Sequence, residues 1–378
     1  MMKFLLDELF EQSGRKLSDY LDCRLVDPMY RLNFADRSMM VYADPEKMRC
    51  EIERVFPGEG AALTRFLDRE RTRFKNFYPC LQQPYESPLD LLQPKMLSAL
   101  PHIALGRTLY QVLADNFKSE ELRLAFTFQS KYLGMSPRDC PGLFAMIPYT
   151  EHAHGIYHVQ SGLCKISHAL ATVAEEHGAK IHTNSPVRRV LMQNRRAMGV
   201  VLTSGEQHFA DEVILNADFG HAMTHLFESG VLRRYTAPKL EKKKWSCSAF
   251  MMYLGLDCVY KEAEHHMIVF ARDYKKNLNE ITHLKQCSED FSLYMRNAAV
   301  TDPSTAPPGC SALYILMPAP NNLSGIPWEE QKLIYRKKYY ACSKSTHRIA
   351  ISRCIFAKSA FLRLRIGKNS FCLSRSNV

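Results

Sequence analysis

Three histidines fall within seven residues in the stretch EHAHGIYHVQSGLCKISHALATVAEEHG (151–178), at His152, His154 and His158. Read as a strand, the three share one face, and metal binding is the chemistry that such a set suggests. Gly155 interrupts the run, and only the adjacent Glu151 stands near as a further ligand type, so no metal site is expected. His265-His266 is a second histidine pair, but strand neighbours point to opposite faces and do not share one ion. Glu120 and Arg123, in SEELRLAF, stand at the i, i+3 spacing of a helix, where an exposed acid–base pair stabilises only weakly. The twelve cysteines are scattered without a C-x-x-C pair, which reads as reduced thiols rather than a disulfide framework or a zinc site.

Elements must position these residues. Residues 3–21 read as an amphipathic helix, with Leu6, Leu9, Phe10, Leu17 and Leu21 on one face. MYRLNFADRSMMVYA (29–43) reads as a hairpin turning at Ala-Asp-Arg-Ser, and Asp44-Pro45 opens a helix that runs to Pro57-Gly58. From Ala61 to about Phe144 the pattern is helical, broken at several prolines. Its leucine-rich part, LDLLQPKMLSALPHIALG (89–106), reads first as helical core, with a membrane-facing surface as the other reading.

The pattern changes after Gly155. A helix is expected over 163–177, a strand pair in KIHTNSPVRRVLMQ, and strand, turn, strand in MGVVLTSGEQHFADEVILNAD. The last strand is expected to be buried and to run into Asn216-Ala217-Asp218, an order that belongs to an α/β nucleotide-binding sheet. Beyond Pro238, CSAFMMYLGL, HHMIVF, DFSLYMRNAAV and SALYILMPAP read as strands of a second layer, with TDPSTAPPG as an irregular connection.

The formal charge of +11 is unevenly placed. Residues 341–378 hold eight of the Lys and Arg and no acid, so the first 340 residues are nearly neutral and a nucleic-acid face is not expected. That tail reads as an out-of-frame or recombined end rather than an evolved basic domain. No run of about 18 apolar residues is present, and MMKFLLDELFEQSG resembles neither a signal nor a transit peptide.

DPMYRLNFAD, LRLAFTFQSKYLGMSP, HGIYHVQSG, VILNAD, CSAFMMYLGL, EDFSLYMRNAAVTDPSTAPPG and YILMPAPNN together resemble the bacterial-type phytoene desaturases of the FAD-dependent amine-oxidase superfamily, from about Phe4 to Tyr340. The resemblance implies an α/β (α+β) fold, with an incomplete FAD/NAD(P)-binding Rossmann-like domain interleaved with a substrate domain of β-sheet and helices. It divides the chain into 1–154 (helical substrate domain, membrane-associated), 155–230 (the flavin-binding part), 231–340 (β-rich substrate domain) and the tail 341–378. The family's Gly-x-Gly-x-x-Gly turn, expected upstream of the block matching MMKFLLDELF, and its Gly-rich C-terminal motif do not occur in the sequence.

The implied activity is dehydrogenation of phytoene or diapophytoene, with hydride passing from an allylic C–H to FAD. By the same resemblance Glu120 and Arg123 handle the proton or steady charge on the polyene, the surface pair being the other reading. Ser161 and Gly162 occupy a family Gly-Gly pair where the chain crosses towards the flavin, and the Cβ of Ser161 is expected to crowd that place. Val187 offers its backbone to the adenine, and Asn216, Ala217 and Asp218 form a turn beside the cofactor. The implied partners are an apolar carotenoid and a membrane surface on the cytoplasmic side, with no nucleic acid. The sequence carries no signal for oligomeric state. A non-catalytic remnant that retains a lipid-binding substrate domain, and a related carotenoid isomerase or saturase, are the alternative functions.

Overall fold

The computed structural model describes residues 2–261, 263–345, 361–366 and 369–370; the basic tail read in residues 341–378 lies largely outside them. The first helix, Lys3–Gln12, is shorter than its apolar pattern suggests. Gly14 takes φ +70° and turns the chain, so Leu17 and Leu21 follow in a 3-10 turn and an extended segment. They still join Phe10, packing with Val159, Ala169 and Val173. Strand β1 (Cys23–Leu25) leads into the expected hairpin β2 (Tyr30–Asn33) and β3 (Ser38–Val41). The Asp44 side chain accepts from the Lys47 amide at 2.8 Å and starts the helix Pro45–Val55.

Helices and 3-10 turns fill most of residues 60–154, with Phe66, Phe117 and Phe126 packed together in their core. The leucines of 89–106 are not part of that core. Leu89 and Leu105 are each 72% exposed, and Leu91, Leu92, Leu97 and Leu100 are also exposed, which overturns the reading of this stretch as interior. The short helices there present one face to the body and leave the leucine face uncovered.

Strand β4 (Tyr157–Val159) pairs antiparallel with β1, and the helix Cys164–Glu176 follows. Next come β5 (Val187–Gln193), β6 (Arg196–Leu202) and β7 (Gln207–Phe209), an antiparallel three-stranded sheet. KIHTNSPVRRVLMQ therefore supplies one strand rather than two. VILNAD forms no strand, and Ile214 is 89% exposed. Its apolar run suits a central strand flanked on both sides, and among the described residues no strand lies beside it.

The large sheet takes β8 (Ser248–Leu256), β9 (His266–Val269), β10 (Leu293–Asn297) and β11 (Ser311–Ala319), with β12 (Phe361–Ile366) and β13 (Asn369–Ser370) at one edge. Its order is β13-β12-β8-β11-β10-β9-β2-β3. The parallel pairing of β2 with β9 brings residues 30–41 into a sheet otherwise built after residue 247, so residues before and after the 155–230 segment share one sheet. Phe34 stacks on Phe270 with ring centres 5.2 Å apart and ties the hairpin to the helical core. Among the described residues, eight cysteines are free thiols, whereas Cys258 is disulfide-bonded, a departure from the expected reduced set.

Candidate substrate cavity and cofactor crossover

Strand alternation lines up His266 and Ile268 along β9 and Tyr294 and Arg296 along β10, and with Phe270 and Ser292 just beyond the strands this row floors a cavity of about 610 Å³. Phe128 and Lys131, from the 3-10 turn Phe128–Leu133, form one wall. Ile147, Glu151 and the start of β4 form another. The lining is mostly apolar. Tyr132 and Leu163, both largely exposed, lie on the rim.

The three histidines of the opening stretch separate. His152 and His154 lie on the helix Met146–His154, and only His158 is on a strand. His152 is buried and bonds the Tyr42 carbonyl through Nδ1 at 2.9 Å; burial lowers it to about 4. His154 packs against Phe4, with ring centres 4.4 Å apart.

His158 is held at both nitrogens. A guanidinium only donates, so the 3.1 Å contact from Arg296 Nη2 makes His158 Nδ1 an acceptor. Nε2 then donates to Asp302 Oδ2 at 2.7 Å. Arg296 also reaches His265 Nε2 at 3.4 Å, so His265 donates from Nδ1 to Thr301. Both His265 and His266 line the cavity, against the expectation of opposite faces, because His265 precedes the first residue of β9 and escapes strand alternation. Burial lowers His265 to about 3, helped by the Arg296 charge.

Asp302 is the residue that sequence reading missed. Its side chain is wholly buried and accepts from His158, Gln160 Nε2 (2.8 Å), the Ser161 amide (2.7 Å) and Ser304. Burial pushes the carboxyl up, but the bonds from Ser304, His158 and Ser161 outweigh it and hold it at about 2. The local signal was the Asp-Pro-Ser turn, in which Asp302 caps the 3-10 turn Pro303–Thr305. Glu151 was also passed over. Its carboxylate accepts from Tyr30 (2.9 Å), Gln129 (3.0 Å) and Tyr132 (3.2 Å), and burial raises its pKa against the pull of those bonds.

The anticipated cofactor residues all lie on the 155–230 segment, partly or wholly exposed. Ser161 has φ +64° and Gly162 φ +103°, so both adopt the left-handed conformation that a Gly-Gly pair allows. Ser161 Oγ lies 3.2 Å from Ser304 Oγ, in an exposed position. A Cβ on Gly162 would meet only Cys164 Sγ, at 3.9 Å, and Gln160 Oε1 is buried without a partner. Open backbone beside an unsatisfied amide oxygen fits a flat, hydrogen-bonding cofactor such as FAD.

Val187 begins β5, partly exposed. Asn216 and Ala217 lie in the open segment before Asp218, which caps the helix Phe219–His225 by accepting from the His221 amide at 2.8 Å.

The structure brings neither Glu120 nor Arg123 to the cavity. Arg123 donates to the Phe117 and Lys118 carbonyls, at 2.7 and 2.9 Å, and Glu120 is exposed near Tyr110 and Arg138. Among the described residues no helix is long and apolar enough to cross a membrane, and no group of three His, Cys, Asp or Glu side chains could hold a metal.

Comparison with known proteins places this architecture. The chain is 48% identical over 87% of its length to a 4,4'-diapophytoene desaturase (4,4'-diapolycopene-forming) of Methylomonas sp, covering 64% of that protein. It is 35% identical over 90% of its length to a zeta-carotene-forming phytoene desaturase of Myxococcus xanthus, covering 66% of it. The chain thus spans slightly under two thirds of each relative. Among solved structures, the PF1083 protein of Pyrococcus furiosus superposes with a TM-score of 0.53 at 14% identity, over 88% of this chain and 69% of that one, a likeness of fold alone. The family model described as flavin containing amine oxidoreductase matches residues 5–284, and the chain belongs to that family.

Proposed function

We propose that this chain is a carotenoid desaturase that removes hydrogen from an acyclic polyene, phytoene or diapophytoene, with FAD as cofactor. The observation that carries this reading is the largely apolar cavity of about 610 Å³ beside the left-handed crossover at Ser161 and Gly162. Its size is that of a small-molecule site, and its lining offers a hydrocarbon what it needs and few groups that it cannot use. The 48% identity to a diapophytoene desaturase, against 35% to a phytoene desaturase, favours the shorter substrate.

Ser161, Gly162, Val187, Asn216, Ala217 and Asp218 are the residues proposed to hold FAD. When bound, FAD supplies the acceptor for hydride from an allylic C–H. The chain's own residues position and shield. Phe128, Ile268 and Phe270 exclude water and hold the polyene by dispersion. Asp302 and Arg296 fix His158, which keeps β4 rigid between cavity and crossover. Glu120 and Arg123 enter this reading as positioning residues, since Arg123 braces the turn that carries Phe117.

The membrane is the proposed source of substrate, supported by the exposed leucines of 89–106. The test is to incubate the purified chain with FAD and diapophytoene in vesicles. Conversion to a more conjugated, coloured polyene is expected. Flavin retained through gel filtration with carotene isomerised or saturated but no more conjugated would refute desaturation and favour the isomerase or saturase alternative. A chain that retains no flavin and leaves the carotene unchanged would favour the remnant.

A further inference from the structure

We propose that the same cavity binds isoprenoid chains ending in a carboxylate, with the Lys131 ammonium holding the carboxylate; this rests on the reading of the cavity as a polyene site. Lys131 lines the cavity from the same turn as Phe128 and Tyr132. Its Nζ stands 4.8 Å from the centre of the Tyr274 ring. Among the described residues no carboxylate forms an ion pair with it. Glu151, the acid in the lining, spends its oxygens on Tyr30, Gln129 and Tyr132 instead. The other permanent cation of the lining, Arg296, is directed at His158 and His265.

A hydrocarbon offers an ammonium nothing, whereas a carboxylate beside the half-buried Lys131 would give it an acceptor. An apolar chain with one terminal carboxylate satisfies both parts of the site, the walls taking the chain and Lys131 a charge-assisted hydrogen bond. A diphosphate end is a poorer match, because one free ammonium cannot neutralise it. The groups around Lys131 set the pH dependence. Burial lowers Lys131 to about 8, and Cys247 and the Tyr274 ring are its titratable surroundings, while Glu151 lines the same cavity. Preference for the acid is therefore strongest between the ligand carboxyl's pKa, roughly 4–5, and pH 8, and fades as Lys131 loses its proton above that window.

The experiment is equilibrium dialysis of geranylgeranoic acid and its methyl ester, below micellar concentration at pH 7, against wild type, Lys131→Arg and Lys131→Met. Wild type and Lys131→Arg are expected to bind the acid roughly tenfold more tightly than the ester, and folded Lys131→Met to lose that preference. A Lys131→Met protein that keeps the wild-type ratio overturns the role of Lys131 while leaving the polyene site standing. Binding of neither ligand to wild type overturns both. Because Lys131→Met removes a desolvated charge, its fold is expected to survive, and circular dichroism checks it.

Discussion

The Asp302 carboxylate accepts hydrogen bonds from a strand, a crossover loop and its own turn, and so joins residues 144 positions apart in sequence. Replacing it by Asn puts an amide N–H against donors and is expected to destabilise the chain by about 2–3 kcal/mol, read by urea unfolding. Its pKa is depressed to about 2, so its stabilisation is complete above the unfolded-chain value near 3.9 and vanishes as pH falls through 2. Acid titration of unfolding should lose about 2 kcal/mol in that window, and Asp302→Asn should lack this limb. A second residue-scale change is Gly162→Ala. Space is available there, but φ +103° is not, and a loss of about 1–2 kcal/mol is expected on thermal unfolding. The glycine-like turn at Ser161-Gly162 was legible from the motif. The Asp302 network was not, because nothing in a one-dimensional pattern says which distant histidine a buried aspartate will meet.

Elements were legible where one period governed them. The hairpin β2–β3, the helix after Asp44 and the four strands after residue 247 formed as their patterns required, because each buries one face locally. VILNAD fails for the opposite reason. Its apolar character describes a requirement for flanking strands, and a pattern does not reveal whether they are present. The β6–β7 pairing is more tightly specified. Gly199 has φ +146°, and a Cβ there would lie 2.0 Å from the His208 carbonyl oxygen. Gly199→Ala is expected to cost about 3 kcal/mol or more and to raise amide exchange in residues 187–209 before the large sheet is affected. The cavity floor was also present in the sequence, as the alternate residues of HHMIVF and SLYMRN, but recognising it needed the pairing of β9 with β10.

At the scale of the molecule, the leucines of 89–106 stand uncovered, and Phe209 and Ile214 are exposed as well. The leucines suit the membrane contact proposed above as the route of a lipid-soluble substrate. Changing Leu89, Leu92 and Leu105 together to Ser is expected to reduce co-sedimentation with vesicles by at least about tenfold, since each removes roughly 1 kcal/mol or more of apolar burial. It should leave the unfolding midpoint nearly unchanged, because these side chains are exposed in the folded chain. An unchanged vesicle fraction would overturn the membrane contact proposed for these leucines.

In the proposed reaction, polyene in the cavity and flavin at the crossover exchange hydrogen directly. Anaerobic mixing of the FAD-loaded chain with diapophytoene, followed by absorbance, tests this most directly. The flavin band is expected to bleach at the same rate as a longer-wavelength polyene band grows, one flavin for each new double bond. Growth of the polyene band without flavin bleaching, or a flavin that stays oxidised beside unchanged carotene, would contradict it.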